Sequence, residues 1–264
     1  MEPFTQVQIG LIVCSIIMFA GWLVAWKRQN ASHVDLLWTL NLGLLAVFYA
    51  MYGSGDVVQR WLIGSMAAIW SLRLSYHIFI DRIWGKSEDG RYVALRKRWG
   101  RNAGFYFLIF FLAQAGLDII FSLSYLIAAQ VSSTRLEISA IVGIVIWGVS
   151  VGGEAIADRQ LARFRADPAN KGKTCQIGLW RYSRHPNYFF EWLHWWSYVA
   201  MSVHSPYFWL TLISPALMLF FLFKITGIPA TEAHALQSRG EEYRRYQQTT
   251  SAFFPWFPKE ARKE

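Results

Sequence analysis

The sequence predicts an all-α integral membrane protein with seven transmembrane helices, and two observations lead to that class. The 264 residues are 54% hydrophobic and only 16% charged, whereas a soluble globular protein carries about 25% charged residues. Apolar runs also recur at the length of about 20 residues that a helix needs to cross a bilayer. The chain lacks the charge to cover a soluble surface.

Seven runs approach this length, and we expect them to form a single transmembrane domain over residues 1–264. In chain order they are Val7–Trp26, His33–Tyr52, Trp61–Ile80, Gly104–Gln130, Leu136–Ala157, Tyr188–His204 and Tyr207–Ile228. Asp35 interrupts the start of the second run, and the sixth carries several polar groups. The first run lacks the basic n-region and the cleavage site of a signal peptide, so we interpret it as a retained span.

Lys and Arg residues are concentrated in alternate connections between these runs. The first, third and fifth connections and the C-terminal tail are basic, whereas the even-numbered connections hold few basic residues. Because basic loops stay in the cytosol, this bias places the N-terminus outside and the tail inside. Topology therefore accounts for the net charge of +9, and nucleic acid is not expected as a partner.

The longer cytosolic segments differ in character. The third connection, GKSEDGRYVALRKRWGRN, ends in a basic amphipathic segment that we expect along the lipid headgroups, with a contribution to a binding site as the alternative. The fifth span is expected to continue past the membrane as GGEAIADRQLARFR. Pro168, Gly172 and Gly178 then predict a loop or re-entrant turn. The tail helix EAHALQSRGEEYRRYQQ is interpreted as a cytosolic cap.

The stretch Leu179–Ala200 combines a cationic start with a polar stripe. The cations are Arg181, Arg184 and His185. Four polar residues follow at spacings of four, three and four, which place them on one face of a helix: Asn187, Glu191, His194 and Tyr198. Arginines suit phosphates, while carboxylates accept hydrogen bonds from ribose hydroxyls or a carboxamide. An entire nucleotide therefore fits better than a bare phosphate.

Five further ionisable residues lie inside predicted spans, where such groups are costly and are candidates for function. They are Asp35, Arg73, His77, Asp118 and Lys224. For Asp35 the alternative is a first-turn residue favoured by the helix dipole. For Arg73 and Lys224 it is snorkelling toward the surface. Asp118 has no partner nearby in sequence, and pairing across helices is left open.

Several site classes find no support in the sequence. Cys14 and Cys175 make neither a disulfide framework nor a metal site. The sequence has no GxGxxG, P-loop or HExxH motif, and the pair Gly152-Gly153 favours helix packing over phosphate binding. Any nucleotide must therefore be bound by membrane helices and their cytosolic loops.

The motifs together resemble the bacterial membrane branch of the steroid 5-alpha-reductase superfamily. The strongest are ADRQLARFRADPANKGK and GLWRYSRHPNYFFE; SHVDLLW, LRLSYHIF and EYRRYQQTTSAFFP extend the similarity over nearly the whole chain. The resemblance implies a bacterial cell-membrane protein whose cytosolic loops and C-terminal helix cap a site for NADPH. Residues 1–130 would form the substrate side and residues 131–264 the NADPH side. Phe190 is a departure, since relatives usually have Gly before the Glu.

The resemblance also implies roles for individual residues. Those assigned to the cofactor are Arg73, Asp158, Arg165, Asn170, Lys173, Arg181, Tyr182, Arg184, His185, Asn187, Tyr188, Glu191 and Tyr246. Steroid reductases contact the substrate carbonyl with a carboxylate on the second span and a tyrosine on the third. Asp35 and Tyr76 match these, with His77 beside them, although the Gln-Glu pair of the animal enzymes has no counterpart here.

The chemistry implied by the resemblance is conjugate reduction of a 3-oxo-Δ4 steroid or a similar lipophilic enone by a monomeric enzyme. Hydride goes to the β-carbon and a proton to the α-carbon. A donor at the carbonyl oxygen stabilises the developing charge; Tyr76 is the candidate, with protonated Asp35 or His77 sharing the role. The substrate would enter sideways from the membrane lipids, between helices one to four.

Other readings of the same motifs stay open. One is a reductase of another sterol or polyprenyl double bond. A second is a methyltransferase that acts on isoprenylcysteine carboxyl groups with S-adenosylmethionine, because such enzymes share RHPNY. They are shorter, however, and lack ADRQLARFRADPANKGK. A third is a lipid-binding protein without catalysis, which would leave the polar cluster without purpose.

Overall fold

A computed structural model of the protein describes residues 1–132, 137–225 and 227–259. This part of the chain contains helices and no strands. The α-helices are α1 Pro3–Arg28, α2 Val34–Tyr52, α3 Val57–Ile78, α4 Gly90–Trp99, α5 Ala103–Ala128, α6 Ile138–Ala166, α7 Pro186–Ser202, α8 Phe208–Thr211, α9 Ile213–Phe220, α10 Ile228–Arg239 and α11 Glu241–Thr249. The expected all-α class is confirmed.

Among the described residues, five helical stretches are long and apolar enough to cross a membrane. They are Pro3–Arg28, Val34–Tyr52, Gly90–Ala128, Ile138–Ala166 and Phe208–Arg239. The predicted third and sixth spans are helical, but α3 carries Arg60 and Arg73, and α7 has only 17 residues. The structure thus describes a multi-pass membrane protein with five candidate spans. Leu136, the predicted start of the fifth span, lies outside the described residues.

The chain divides into two compact units, the first of which contains Met1–Glu137 and Ser202–Thr211. Within it α2 packs along α3, and α1 packs along α5. Small residues permit the close approach of α2 and α3, because a Cβ on Gly43 would lie 2.4 Å from Ser71 Oγ. Asp118 is fully buried on α5 and accepts a 2.8 Å hydrogen bond from the Asn41 side chain on α2. Asp118 therefore does pair across helices.

The basic segment after α3 is fastened to the start of α2. Glu88 accepts a 2.8 Å hydrogen bond from the backbone N–H of Ala31, and the backbone N–H of Asp89 donates to Ser32 Oγ at 2.8 Å. Asp89 also caps α4, because its carboxylate accepts from the backbone N–H of Arg91 at 2.9 Å. Such caps satisfy amides that have no partner within the helix. The segment is therefore a defined part of the first unit.

The second unit contains Ile138–Met201 and Leu212–Glu264. The expected extension of the fifth span is confirmed, since α6 continues through the ADRQLARFR motif to Ala166. The expected loop follows, with two short 3₁₀ turns, at Pro168–Asn170 and Gly178–Arg181. The tail was predicted as one helix, and this was wrong. Gly240, at φ +55°, separates α10 from α11, because glycine adopts this backbone conformation without steric penalty.

Candidate functional site

The loop before α7 is held down by the C-terminal tail of the second unit. The backbone N–H of Arg184 donates to Ser251 O at 2.8 Å, and the backbone N–H of Trp256 donates to Tyr182 O at 2.9 Å. Tyr246 is buried, and its hydroxyl donates to Trp180 O and to Ser183 O. Burial raises the pKa of this hydroxyl well above its ordinary value. These contacts give Tyr246 a role in positioning the loop.

Glu232 on α10 contacts the two side chains that directly precede α7, those of Arg184 and His185. Its Oε1 lies 2.7 Å from Arg184 Nε and 3.2 Å from His185 Nε2. Its Oε2 accepts a 2.8 Å hydrogen bond from the Gln247 side chain. Arg184 also donates to the carbonyl oxygens of Gln247 and Thr250, at 3.1 and 2.5 Å. Arg184 and His185 therefore join the loop to α10 and the tail.

Tyr188 extends this cluster toward the surface. Its ring stacks on the His185 ring with centroids 5.3 Å apart and planes inclined by 8°. Its hydroxyl lies 3.3 Å from Thr231 Oγ1 in an exposed position. The Tyr188 hydroxyl is thus held close to α10 while it stays accessible to solvent.

The polar stripe on α7 meets α6 at Asp158. Asp158 is buried, and its Oδ1 accepts a 3.4 Å hydrogen bond from the Asn187 side chain. Glu191 lies one turn further along α7 and is partly buried. Fully buried His194 and Tyr198 bond to each other, with 2.9 Å between Nε2 and the hydroxyl. Asn187 and Glu191 form the end of the stripe nearest the loop, and His194 and Tyr198 form its interior end.

The Phe190 side chain fills the space beside Asn187 and Glu191. A Cβ on Gly153 of α6 would lie 2.4 Å from the Phe190 ring, so only glycine leaves room for it. This contact accounts for one member of the pair Gly152-Gly153, as the helix-packing interpretation predicts. The extra bulk of Phe190 is accommodated by α6.

A basic cavity of about 180 Å³ lies between the end of α6 and the following loop. Three residues predicted to bind the cofactor line it, namely Arg165, Asn170 and Lys173, together with Lys171 and Arg239. The Asn170 side chain donates to Phe164 O at 3.1 Å, which fixes the loop against α6. Arg181 is exposed in the second 3₁₀ turn and is not part of this cavity. Four cations around one small cavity form a site suited to an anion.

Asp35 is the centre of a polar network in the first unit. Its carboxylate lies 2.7 Å from Arg91 Nη2 and 3.2 Å from Arg82 Nη1, and it accepts a 2.7 Å hydrogen bond from the Tyr92 hydroxyl. In these contacts the carboxylate accepts from three donors. They favour a role in holding α4 against α2 over the predicted role as proton donor.

The other candidates of the first unit lie on α3. Tyr76 is 70% exposed, so its hydroxyl is accessible. His77 and Arg73 are partly buried on the same helix. A π-helical turn, Phe79–Ile83, follows directly after α3, and such turns are frequent at functional sites.

Sequence spacing did not reveal the partners of Arg184, His185 and Asp35. Glu232 was read as part of a charged tail, and Arg91 and Tyr92 as part of an amphipathic segment. Arg239, on the basic cavity, was assigned no role. Glu232 is the one carboxylate in the mostly apolar stretch IPATEAHAL, which could have drawn attention to it. Nothing in the sequence spacing links Glu232 to Arg184, 48 residues away.

Comparison with known proteins identifies a family and one distant relative. The model of a family described as protein of unknown function (DUF1295) matches residues 21–250. An uncharacterized protein of Schizosaccharomyces pombe is 25% identical over 222 residues, which cover 75% of this chain and 64% of the relative. The chain thus spans less than two thirds of that relative's length. No solved structure matches.

Proposed function

The chain belongs to the DUF1295 family, and from that premise and its own residues we propose that it is an NADPH-dependent membrane reductase. The reaction is reduction of the C4–C5 double bond of a 3-oxo-Δ4 steroid or a similar lipophilic enone. The sequence resemblance to steroid 5-alpha-reductases supports this proposal. The structure adds an arrangement of polar residues that is compatible with it.

The observation that carries the proposal is the meeting of separated motif residues within the second unit. Asp158 and Asn187 are 3.4 Å apart although 29 residues separate them in sequence. Arg165, Asn170 and Lys173 line one cavity. The first pair offers a carboxylate and an amide, which suit hydroxyls or a carboxamide. The cavity offers the cations that suit a phosphate.

The described residues fit part of the cofactor better than the whole of it. A volume of about 180 Å³ is below the range of about 300–1,000 Å³ for pockets that enclose small molecules. This volume and its four cations suit a phosphate group. Arg184 and His185 fit less well as phosphate ligands, because Glu232 already occupies them. We therefore assign phosphate binding to Arg165, Lys171, Lys173 and Arg239.

On this proposal the residues have separate roles. NADPH, when bound, supplies a hydride for the β-carbon of the enone. Tyr76 donates a hydrogen bond to the carbonyl oxygen, where negative charge develops, and a proton is then delivered to the α-carbon. Asp35 orients α4 from its ion pairs, and His77 is the neighbouring candidate for proton delivery. Removing a donor to such an oxygen reduces the rate by about 10²–10³-fold.

The proposal includes the full topology. We propose seven spans, with α3 and α7 added to the five apolar stretches, an N-terminus outside a bacterial cell membrane and a tail in the cytosol, where NADPH is found. The lipophilic substrate enters from the bilayer, and the enzyme acts as a monomer. Cysteine labelling in intact cells at Ser205 and Lys171 tests this. Cytosolic labelling at Ser205 would contradict it.

The alternatives predict different ligands. A carboxyl methyltransferase requires S-adenosylmethionine, whereas both reductase readings require NADPH. Because a ligand that binds only the folded state raises its stability, NADPH is expected to raise the unfolding temperature of the purified protein and S-adenosylmethionine is not. Stabilisation by S-adenosylmethionine alone would favour the methyltransferase.

The experiment that tests the reaction is NADPH oxidation by the detergent-purified protein with a panel of 3-oxo-Δ4 steroids and other enones. We expect oxidation that depends on the enone and a product that gains two hydrogens across the double bond. If NADPH binds but no enone is reduced, reduction of a different sterol or polyprenyl double bond becomes the better reading.

A further inference from the structure

A second cavity lies at one end of the first unit, and its lining residues are not among the candidate site residues discussed above. Its volume is about 380 Å³, and it lies between the last turns of α1 and the junction of α4 with α5. Its walls include the aromatic residues Trp22, Trp26 and Phe107 and the polar residues Gln29, Arg96 and Arg101. This combination of rings and guanidinium groups is typical of the boundary between the hydrocarbon core and the headgroups.

The aromatic wall is fixed in place. The Trp22 indole N–H donates to Gly104 O at 2.9 Å, which ties α1 to α5. Trp26 stacks on Trp22, with centroids 6.1 Å apart and planes inclined by 10°. Trp26 nevertheless stays 55% exposed. The two rings thus form a rigid apolar surface that is open on one side.

The polar wall is also built by specific contacts. Gln29 has the left-handed backbone conformation, at φ 49°, which is uncommon for a residue other than glycine. Its side-chain amide donates to Trp26 O at 2.7 Å, and its carbonyl accepts from Arg96 Nη1 at 3.1 Å. Arg96 is further held by Glu88 at 2.8 Å and lies 4.8 Å from the Phe107 ring centroid. Arg96 is therefore already neutralised.

Arg101 is left as the cation available to a ligand. It is exposed on the 3₁₀ turn Gly100–Asn102, and it takes part in no ion pair within the described ranges. Further cations lie near the lining residues in sequence: Lys27 and Arg28 in the last turn of α1, and Lys97 and Arg98 in the last turn of α4. Glu88, the carboxylate described in contact with this wall, is bound to Arg96. The segments that supply the lining residues are therefore rich in positive charge.

We propose that this cavity binds an anionic phospholipid, with the headgroup phosphate on Arg101 and the glycerol and upper acyl chain against Trp26 and Trp22. α1 and α5 belong to candidate spans. α1 ends here with Lys27 and Arg28, and α5 begins here after the basic last turn of α4, so the cavity faces one headgroup layer. Juxtamembrane Lys and Arg residues attract the anionic lipids of the cytoplasmic leaflet. The proposal does not depend on the reaction catalysed by the protein.

The test uses the full-length protein in a neutral detergent and measures its unfolding temperature during titration with dioleoyl phosphatidylglycerol. Dioleoyl phosphatidylcholine and glycerol 3-phosphate serve as the zwitterionic lipid and the free phosphate. We expect stabilisation by phosphatidylglycerol and little by the other two. Arg101→Gln is expected to weaken the apparent affinity about fivefold, whereas the matched control Arg98→Gln, on the neighbouring turn but outside the cavity, is expected to weaken it less than twofold.

A second pair of variants tests the aromatic wall. Trp26→Leu is expected to weaken phosphatidylglycerol binding. Trp61→Leu, which changes another exposed tryptophan, on α3, is not expected to weaken it. Equal stabilisation by phosphatidylcholine, or equal effects of Arg101→Gln and Arg98→Gln, would overturn the proposal. Stabilisation by glycerol 3-phosphate that matches that by phosphatidylglycerol would also overturn it, because the ligand would then be a free phosphate. If Trp26→Leu fails to fold, the comparison of Arg101→Gln with Arg98→Gln still tests the proposal.

Discussion

Arg184 Nε and Glu232 Oε1 lie 2.7 Å apart and join the RHPNY loop to α10, with both side chains largely shielded from solvent. The same carboxylate is 3.2 Å from His185. One residue of the tail therefore sets the position of the two cations at the start of α7. The candidate site of the second unit depends on this contact for its shape.

Removing the carboxylate should destabilise the second unit. Glu232→Ala leaves the sheltered Arg184 guanidinium without its carboxylate and His185 without its acceptor, and the breaking of such an ion pair typically costs about 3 kcal/mol in unfolding free energy. The matched control is Glu241→Ala, because the pair of Glu241 with Arg244 is 2.9 Å long but exposed. Exposed pairs contribute at most about 1 kcal/mol. Unfolding in detergent measures both, and equal losses would show that Glu232 does not organise the loop.

The contacts of Asp35 predict a structural role that can be separated from catalysis. Asp35→Asn removes the charge that Arg91 and Arg82 approach, and we expect a loss of about 1–2 kcal/mol after allowance for their partial exposure. We also expect faster tryptic cleavage within α4, and a smaller effect of the same kind from Tyr92→Phe. If Asp35→Asn instead lowers turnover while stability and cleavage stay as in the wild type, Asp35 is the acid after all.

The cap of α4 should respond to acid. Burial raises the pKa of Asp89, but hydrogen bonds from Arg91 and the charges of Arg91 and Arg82 outweigh it, so the pKa lies below its ordinary value. The folded state therefore binds this proton less readily than the unfolded state. The contribution is complete above the unfolded pKa of about 3.9 and is lost as the pH falls through the folded value.

Proteolysis or amide exchange of α4 between pH 6 and 3 measures this effect. We expect the protection of α4 to decrease below about pH 4 in the wild type, and Asp89→Asn to show lower protection that changes less over this range. Wild-type protection that is constant down to pH 3 would contradict the assignment of Asp89 as the acid-sensitive cap.

Tyr76 tests the reductive half of the proposal. Tyr76→Phe should lower turnover with an enone by about 10²–10³-fold, as the loss of an oxyanion donor does, and should leave NADPH affinity nearly intact. Tyr52→Phe, another exposed tyrosine of the first unit, is the control and should turn over as the wild type does. Wild-type turnover of Tyr76→Phe would move the donor to another residue.

The sequence predicted those parts of the fold that depend on local pattern. Apolar runs located the helices, and the breakers after Ala166 located the loop, because hydrophobic length and glycine conformation act within a few residues. The stop at Gly240 was missed, because an isolated glycine within a helical pattern is tolerated at a cost of about 1 kcal/mol and does not by itself end the helix. The five candidate spans follow from the same hydrophobic pattern. α7 is too short to count as a candidate span, and α3, which carries two arginines, is not apolar enough.

The contacts within the site were less predictable for a physical reason. Helical spacing singled out Asn187, and the resemblance assigned Asp158 and Asn187 to the cofactor, but their partners depend on how distant segments pack. Arg184 and Glu232 are 48 residues apart, and Asp35 and Arg91 are 56 apart. Sequence spacing determines which residues share a helix face but not which helices meet. The ion pairs of Arg184 and Asp35 therefore became apparent only in the structure.

The central claim is that the second unit binds NADPH through the end of the stripe on α7. The measurement that tests it most directly is the NADPH dissociation constant of the wild type, Asn187→Ala and Glu191→Gln, with Glu241→Gln as the control. We predict a loss of affinity of at least about tenfold in each site variant, since each loses a hydrogen bond to the ligand. We also predict that both site variants stay folded without ligand, and that the control has wild-type affinity. Unchanged affinity in both site variants, or no NADPH binding by the wild type, would contradict the account.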